Sequence, residues 1–306
     1  MTKKNITNQA ASVHQRLLNL AKIRGRPFNE LLLYYAIERY LYRLSQSPYR
    51  DRFVLKGALT LLVWQTPITR PTRDIDLLGR ISNDLVAVKA VVSEICQQAV
   101  ADDGLIFDPS TVTTERIAED ADYEGARAKF QGRLGNARLA MQIDIGFSDV
   151  ITPAPVAIHY PALLGHASAD LMAYNRETAV AEKLEAMVSL GQLNSRMKDF
   201  FDLWLLAKHH DFDGPLLKEA ISHTFARRQT NIVTAPICFA DTFATEPSKA
   251  AQWAAFLRNG QLAGVPSSFV DVVGVVRDFL RPLLVAMASD AAFSLLWKAP
   301  GPWRTT

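Results

Sequence analysis

The sequence predicts an α+β protein, a sheet-containing lobe followed by a helical one, and three observations carry that expectation. Residues 74 to 78 and 123 to 147 alternate apolar and polar side chains at the period of two that a half-buried strand requires. From 176 to 288 the apolar residues recur instead at three- and four-residue spacing, in segments separated by Pro and Gly. Strand signals fade from Pro161 onward. The chain therefore divides into N-terminal helices over 1–50 that pack on the core, a sheet lobe over 51–160 and a helical lobe over 161–306.

In chain order, Val13, Leu17, Leu20 and Ala21, then Leu31, Leu32, Tyr35, Ala36, Tyr40 and Leu41, predict two helices between 8 and 47, broken near Gly25-Arg26-Pro27. Phe53-Val54-Leu55 is a short apolar strand that meets Gly57, and 58 to 64 resembles the first turns of a helix. A strand at 74 to 78, an amphipathic helix at 84 to 100 and a strand at 111 to 119 follow. A long hairpin then pairs 123 to 133 with 137 to 147 around Gly135-Asn136, residues that tolerate positive φ. On its second strand Leu139, Met141, Ile143 and Ile145 share one face, and Arg138, Gln142 and Asp144 the other. Helices are expected at about 176 to 190, 196 to 208, 214 to 227, 248 to 258 and 268 to 288, and 300 to 306 as a loose tail.

With 49% apolar residues in 306, the chain can bury a substantial core, which excludes disorder for most of it. The balance of 34 Lys+Arg against 31 Asp+Glu gives a net charge of only +3, so any contact with nucleic acid has to be local. Cys96 and Cys238 form neither a CxxC nor a Cys/His spacing, which argues against a zinc site or a disulfide framework and fits a reducing compartment. The polar start Met-Thr-Lys-Lys-Asn and the lack of a long apolar run suggest a cytoplasmic protein with no membrane partner.

The tightest chemical signal is Asp74-Ile75-Asp76. In an extended strand both carboxylates point to one face while Ile75 and Leu77 point to the other. Two such charges ~4 Å apart repel by roughly 4 kcal/mol at an effective dielectric of 20, a repulsion that a proton or cation relieves. An isolated Asp-x-Asp is most often an exposed edge or turn. Here an apolar strand surrounds it and Asp144 offers a third carboxylate on a polar sheet face, a set suited to magnesium or manganese and a nucleotide α-phosphate. The chemistry implied is nucleotidyl transfer.

Lys56-Gly57-Ala58 is either a plain strand end and turn or a place where backbone amides approach a triphosphate. It is not a P-loop, because no G-x-x-x-x-G-K-[ST] is present. Lys183 lies close to the apolar stripe of its helix, where such a lysine usually snorkels. Asp199 and Asp202 stand three apart in an otherwise apolar run and need partners; a network with Arg196, Lys198 or Lys183 and a contact to nucleotide or acceptor are both open. Arg127, Lys129 and Arg133 on one strand face, and Arg227-Arg228 at a helix end, are either solvated charge or a means of steering phosphates toward the acids. His209-His210 suit a helix C-terminus.

Lys56-Gly57-Ala58, Arg73-Asp74-Ile75-Asp76-Leu77-Leu78, Gln142-Ile143-Asp144-Ile145, Glu182-Lys183-Leu184 and Arg196-Met197-Lys198-Asp199-Phe200-Phe201-Asp202-Leu203 occur in this order. With them the chain resembles the AbiEii/AbiGii toxin family, to which the MenT toxins are related, over about residues 10 to 230. Asp-x-Asp is shared across the DNA polymerase β-like nucleotidyltransferase superfamily, and the later Lys and Lys-Asp-x-x-Asp narrow the likeness to this family. The resemblance implies a nucleotidyltransferase-fold lobe with a mixed β-sheet, a helical C-terminal lobe, magnesium (or manganese) at Asp74 and Asp76 with Asp144 as third ligand or base, and a nucleoside triphosphate as donor. It implies nucleotide contacts from Lys56, Gly57, Ala58, Thr72, Arg73, Lys183, Arg196 and Lys198, and an essential acid at Asp199 or Asp202. It further implies the tRNA 3′ end as RNA acceptor, a separately encoded antitoxin, and a role as the toxin of a type IV-like toxin–antitoxin or abortive-infection system in phage defence.

One departure stands out. Many superfamily members place a hydroxyl residue in the first motif, whereas this chain has Gly57-Ala58-Leu59, with Thr60 out of step. Two alternatives therefore stand beside RNA modification: a degenerate protein that binds nucleotide or a partner without transfer, and a transferase acting on an antibiotic-type small molecule.

Overall fold

The computed structural model describes residues 8–66, 70–120 and 123–305; the polar start at 1–5 and Thr306 lie outside them. The chain forms two compact units. The first comprises the residues up to 63, 71–148 and 156–173, and the second 64–70, 149–155 and 174 onward.

In the first unit, helices α1 (Gln9–Arg24) and α2 (Phe28–Gln46) are separated at Gly25, whose φ of 60° ends α1 in a left-handed cap. Strand β1 (Phe53–Lys56), the short helix α3 (Leu59–Val63), strand β2 (Asp74–Gly79) and helix α4 (Leu85–Gln97) follow. Then come β3 (Leu105–Asp120), β4 (Tyr123–Leu134), β5 (Ala137–Gly146), β6 (Val156–Tyr160) and β7 (Ala169–Ala173). These strands form one mixed seven-stranded sheet in the order β3-β4-β5-β2-β1-β7-β6. β2 runs parallel to β5, and β1 parallel to β7; the other neighbours are antiparallel.

The alternation of the sequence becomes two chemically distinct faces. Ile75, Leu77, Ile143 and Ile145 join Leu31, Tyr35 and Tyr40 of α2 and Val88 and Val92 of α4 in one buried apolar core. Tyr40, Phe107 and Phe130 pack there as a three-ring cluster with centroids 5.2 to 5.8 Å apart. The opposite face carries the acids.

Helix α5 (Arg176–Leu190) opens the helical part of the second unit and is capped by the Asn175 side chain, which accepts from the Thr178 amide at 2.7 Å. After it come α6 (Met197–His209), β8 (Phe212–Asp213), α7 (Gly214–Arg227), α8 (Asp241–Ala244), α9 (Pro247–Gly260) and α10 (Phe269–Ala288). Strands β9 (Leu296–Trp297) and β10 (Trp303–Arg304) complete a small sheet in the order β10-β9-β8. Apolar nearly all round, α6 is buried along most of its length between its neighbours.

Three expectations need correction. The third strand begins at Leu105 rather than 111: Asp103 accepts from the Leu105 amide, and a register shift between Asp108 and Thr113 absorbs Pro109, which has no amide proton to give. Strand β7 has no β-branched residue to announce it, yet it lies parallel to β1 and alternates buried and half-buried positions. The end of the chain is not loose. Trp303 stacks on Phe279 with centroids 5.8 Å apart, and its indole donates to the Phe279 carbonyl at 2.8 Å.

Candidate functional site

The acidic pair projects from the polar face of the sheet in the first unit. Asp74 and Asp76 are half-buried, whereas the intervening Ile75 and the following Leu77 are buried. Strand pairing extends the pair into a charged row. Lys56 of β1 is in register with Asp76, which is in register with Asp144 of β5; Asp144 is in register with Arg127 of β4, and Arg127 with Glu115 of β3. Asp74 is in register with Gln142, and Gln142 with Lys129. Five strands thus bring Lys56, Asp76, Asp144, Arg127 and Glu115 to one line across the sheet.

Gly57 closes the turn after β1 at a φ of 72°, and a Cβ there would lie 1.9 Å from Oδ2 of Asp76. Only glycine permits this, because the Asp76 carboxylate packs against the backbone of the turn. Ala58 is buried, and the Thr60 hydroxyl donates to the Gly57 carbonyl at 2.7 Å. The nearest hydroxyl is therefore engaged with the turn's own backbone. Thr72 donates its amide to the Tyr34 hydroxyl at 3.2 Å, and Arg73 is exposed.

Asp144 has specific partners. Arg127 grips it with two parallel hydrogen bonds, Nε to Oδ1 at 2.8 Å and Nη2 to Oδ2 at 2.7 Å, the fork geometry of a strong guanidinium–carboxylate pair. The Gln142 amide also donates to it, at 3.2 and 3.4 Å. The hydrogen bonds to Asp144, and then the charges of Asp144, Asp74 and Glu115, raise the pKa of Arg127 above its ordinary value. Lys129 pairs with Glu115 at 2.7 Å. Arg127 and Lys129 are thus partners of nearby acids. Among the described residues no group of three or more His, Cys, Asp or Glu side chains is arranged to hold a metal ion.

A second charged cluster lies within the second unit. Lys183 of α5 places Nζ 2.6 Å from Oδ2 of Asp202 and 3.2 Å from Oδ1 of Asp199. Arg70 binds both oxygens of Asp202, at 2.8 and 3.0 Å, and Arg196 lies 2.8 Å from Asp199. Both acids are buried on α6. Burial would raise the pKa of Asp202, but the charges of Arg70 and then Lys183 overcome it and hold the group at about 2. For Lys183 burial disfavours the ammonium, and Asp202 and Asp199 prevail, so its pKa is raised. Lys198 is exposed on the same helix.

Other candidates have structural partners. Arg228 binds Glu185 at 2.7 Å and Asp149 at 3.0 Å. His210 accepts from Arg176 at 2.7 Å, and burial, then the charges of Arg176 and His209, lower its pKa to about 4, so the ring is neutral at physiological pH. Burial pushes the thiols of Cys96 and Cys238 up to about 12. Sequence reasoning did not single out Arg70 as a partner of Asp202, since 132 positions separate them and no local pattern links them. It also left Arg127 as either solvated charge or a steering group without pairing it to Asp144, although the hairpin turn sets that register.

A family profile described as "Nucleotidyl transferase AbiEii toxin, Type IV TA system" matches residues 39–274. Among solved structures, MenT4, a nucleotidyltransferase toxin from Mycobacterium tuberculosis, superposes with a TM-score of 0.51 at 17% identity, over 92% of this chain and 99% of that one. JHP933 from Helicobacter pylori gives a TM-score of 0.48 at 16% identity over 86% of this chain and 94% of that one. No curated protein matches the sequence.

Proposed function

Because the chain belongs to the AbiEii family of nucleotidyltransferase toxins of type IV toxin–antitoxin systems, we propose that it transfers a nucleoside monophosphate from a nucleoside triphosphate to RNA, at the 3′ end of tRNA, in a magnesium-dependent reaction. The acceptor hydroxyl gives up its proton to solvent and attacks the α-phosphorus, a new P–O bond forms in line with the bond to the β-phosphate, and pyrophosphate leaves with that bond's electron pair. The observation that carries this reading is the placement of Asp74 and Asp76 on one face of β2 with Asp144 beside them on β5.

The donor set fits a hard cation: Asp74 and Asp76 present carboxylate oxygens from alternate positions of one strand, and magnesium accepts one or two carboxylates while keeping waters and substrate phosphates. When bound, the ion supplies neutralisation of phosphate charge. The role of the Gly57 turn is to let Asp76 lie against the backbone. Lys183 counters triphosphate charge in this proposal, with Asp199 and Asp202 holding its ammonium in place, and Lys56, Gly57, Ala58, Thr72, Arg73, Arg196 and Lys198 are proposed nucleotide contacts. The protein acts in the cytoplasm, with an antitoxin encoded nearby as its partner; among the described residues no helix is long and apolar enough to cross a membrane.

Incubation with labelled nucleoside triphosphates, magnesium and total RNA tests the reading. Labelled RNA is expected with the native chain and none with Asp74→Ala or Asp76→Ala; transfer that survives both changes overturns the assignment. Mass analysis of the labelled RNA identifies donor and acceptor together. In cells, growth arrest should depend on Asp74 and be relieved by the neighbouring gene. A second reading, nucleotide binding without transfer, draws on the Thr60 hydroxyl turned onto the Gly57 carbonyl; it gains if triphosphate binds and no acceptor is labelled.

A further inference from the structure

We propose that Arg133 and Arg138, at the turn end of the β4–β5 hairpin, clamp the phosphate backbone of the RNA acceptor, which lies along the strip of sheet between them and the acids. The inference rests on the RNA-transfer reading and adds the surface that grips the acceptor.

Strand register builds the strip. Arg133 stands directly opposite Arg138, and Gln131, Ala140 and Lys129 on the same face lead from them toward Arg127 and Asp144. The two ends lie six positions apart on each strand, about 20 Å at the usual rise per residue. Lys129, Gln131, Arg133, Arg138 and Ala140 are exposed, whereas Leu134, Leu139 and Met141 on the other face are buried. An alanine so exposed in mid-strip shows that no helix covers the sheet there.

Like charges set directly opposite across a ladder are destabilising. Among the described residues neither arginine has a hydrogen-bonded or ion-paired side-chain partner. Asp108 feels the charge of Arg133, but its carboxylate accepts from the amide and hydroxyl of Ser110. Arg127 and Lys129 differ, because Asp144 and Glu115 neutralise them. A phosphate between two guanidiniums removes their repulsion and takes charge-assisted hydrogen bonds from both, the recognition that arginine's planar fork suits. Protein interfaces are depleted of charge and rich in aromatic rings at their centre, whereas this strip sets two cations beside one isoleucine, Ile106, in register with Arg133. The chemistry therefore favours a polynucleotide.

The test is fluorescence anisotropy of end-labelled tRNA with the full chain over a range of salt, without triphosphate. Arg133→Gln/Arg138→Gln is compared with Arg258→Gln/Arg281→Gln, which removes the same charge from α9 and α10. The first pair is expected to weaken binding at least tenfold and to cut the slope of log affinity against log salt by about 1.4, two single-strand phosphate contacts. The control is expected to stay within threefold of native. A loss of less than tenfold in the first pair, or a control weakened as much, overturns the proposal. Crosslinking of the native chain to thiouridine-substituted RNA needs no variant: adducts within residues 129–142 are expected, and adducts only elsewhere overturn it. In the labelling assay the first pair should raise KM for RNA at least tenfold and leave kcat within twofold, because the clamp is remote from the reacting atoms. RNA labelling that keeps its native KM sinks this inference and leaves transfer standing. Binding that depends on the two arginines, to RNA that is never labelled, does the reverse. A variant that binds RNA normally yet is no longer relieved by the neighbouring gene gives the face to the antitoxin and overturns the proposal.

Discussion

At Gly57 the backbone has a φ of 72°, and a methyl group would meet the Asp76 carboxylate at 1.9 Å. Gly57→Ala therefore combines a left-handed conformation costing about 1 to 2 kcal/mol with a clash that displaces the acid next to the turn. Urea unfolding should show a loss of about 2 kcal/mol, and nucleotide transfer measured on the folded fraction should fall at least tenfold. Lys183 presents a different problem, because it is both a proposed phosphate contact and a partner of Asp199 and Asp202. Lys183→Met leaves Asp199 with Arg196 and Asp202 with Arg70, yet removes a charge from a buried cluster, for which about 3 kcal/mol of lost stability is expected. Thermal melts of Lys183→Met should show that loss. A melt unchanged within 1 kcal/mol would mean that the cluster does not depend on Lys183, and any loss of transfer would then belong to chemistry rather than folding.

Elements that bury one face were legible from sequence, because burial imposes a period. The helices at α1, α2, α5, α6 and α7 and the hairpin of β4 and β5 lie where apolar spacing and the Gly135-Asn136 turn put them. The same turn contains the Arg127–Asp144 pairing, since a two-residue loop pairing 134 with 137 also pairs 127 with 144. Long-range order was not legible in the same way. The parallel pairing of β7 to β1 and the reach of Arg70 to Asp202 depend on tertiary packing that no local window encodes. The chain end illustrates this: residues 300 to 306 have the composition of a tail, yet Trp303 stacks on Phe279 and donates to its carbonyl. Trp303→Ala should accordingly cost about 2 kcal/mol, less than for a fully buried tryptophan because the ring is half-buried. Urea denaturation checks it, and an unchanged midpoint would restore the loose tail.

Across the whole molecule, each of the two units carries a buried carboxyl group, and the two shift in opposite directions. In the first, Glu38 is buried on α2, accepting from the Leu163 amide at 2.7 Å and from Arg39 at 3.1 Å. Burial, the largest influence, lifts its pKa from the ordinary 4.5 to about 7 against the lowering effects of the Leu163 amide and Arg39. Between those two values the folded chain holds a proton that the unfolded chain has released. The contribution is therefore fully present below about pH 4.5 and lost as pH rises through 7, on the order of 3 kcal/mol in all. In the second unit Asp202 is held at about 2 by Arg70 and Lys183 against burial, below its ordinary 3.8, so its contribution is present above pH 3.8 and lost as pH falls toward 2. Urea midpoints measured from pH 3 to 8 should therefore rise on acidification from 8 to 6.5, level off below 6.5 where the depressed His210 removes stability as Glu38 adds it, and fall below 4. Glu38→Gln keeps an oxygen to accept from the Leu163 amide and removes the titration. It should abolish the rise between pH 8 and 6.5 while leaving the acid limb in place. A variant that keeps the full rise between pH 8 and 6.5 would show that a group other than Glu38 takes up the proton.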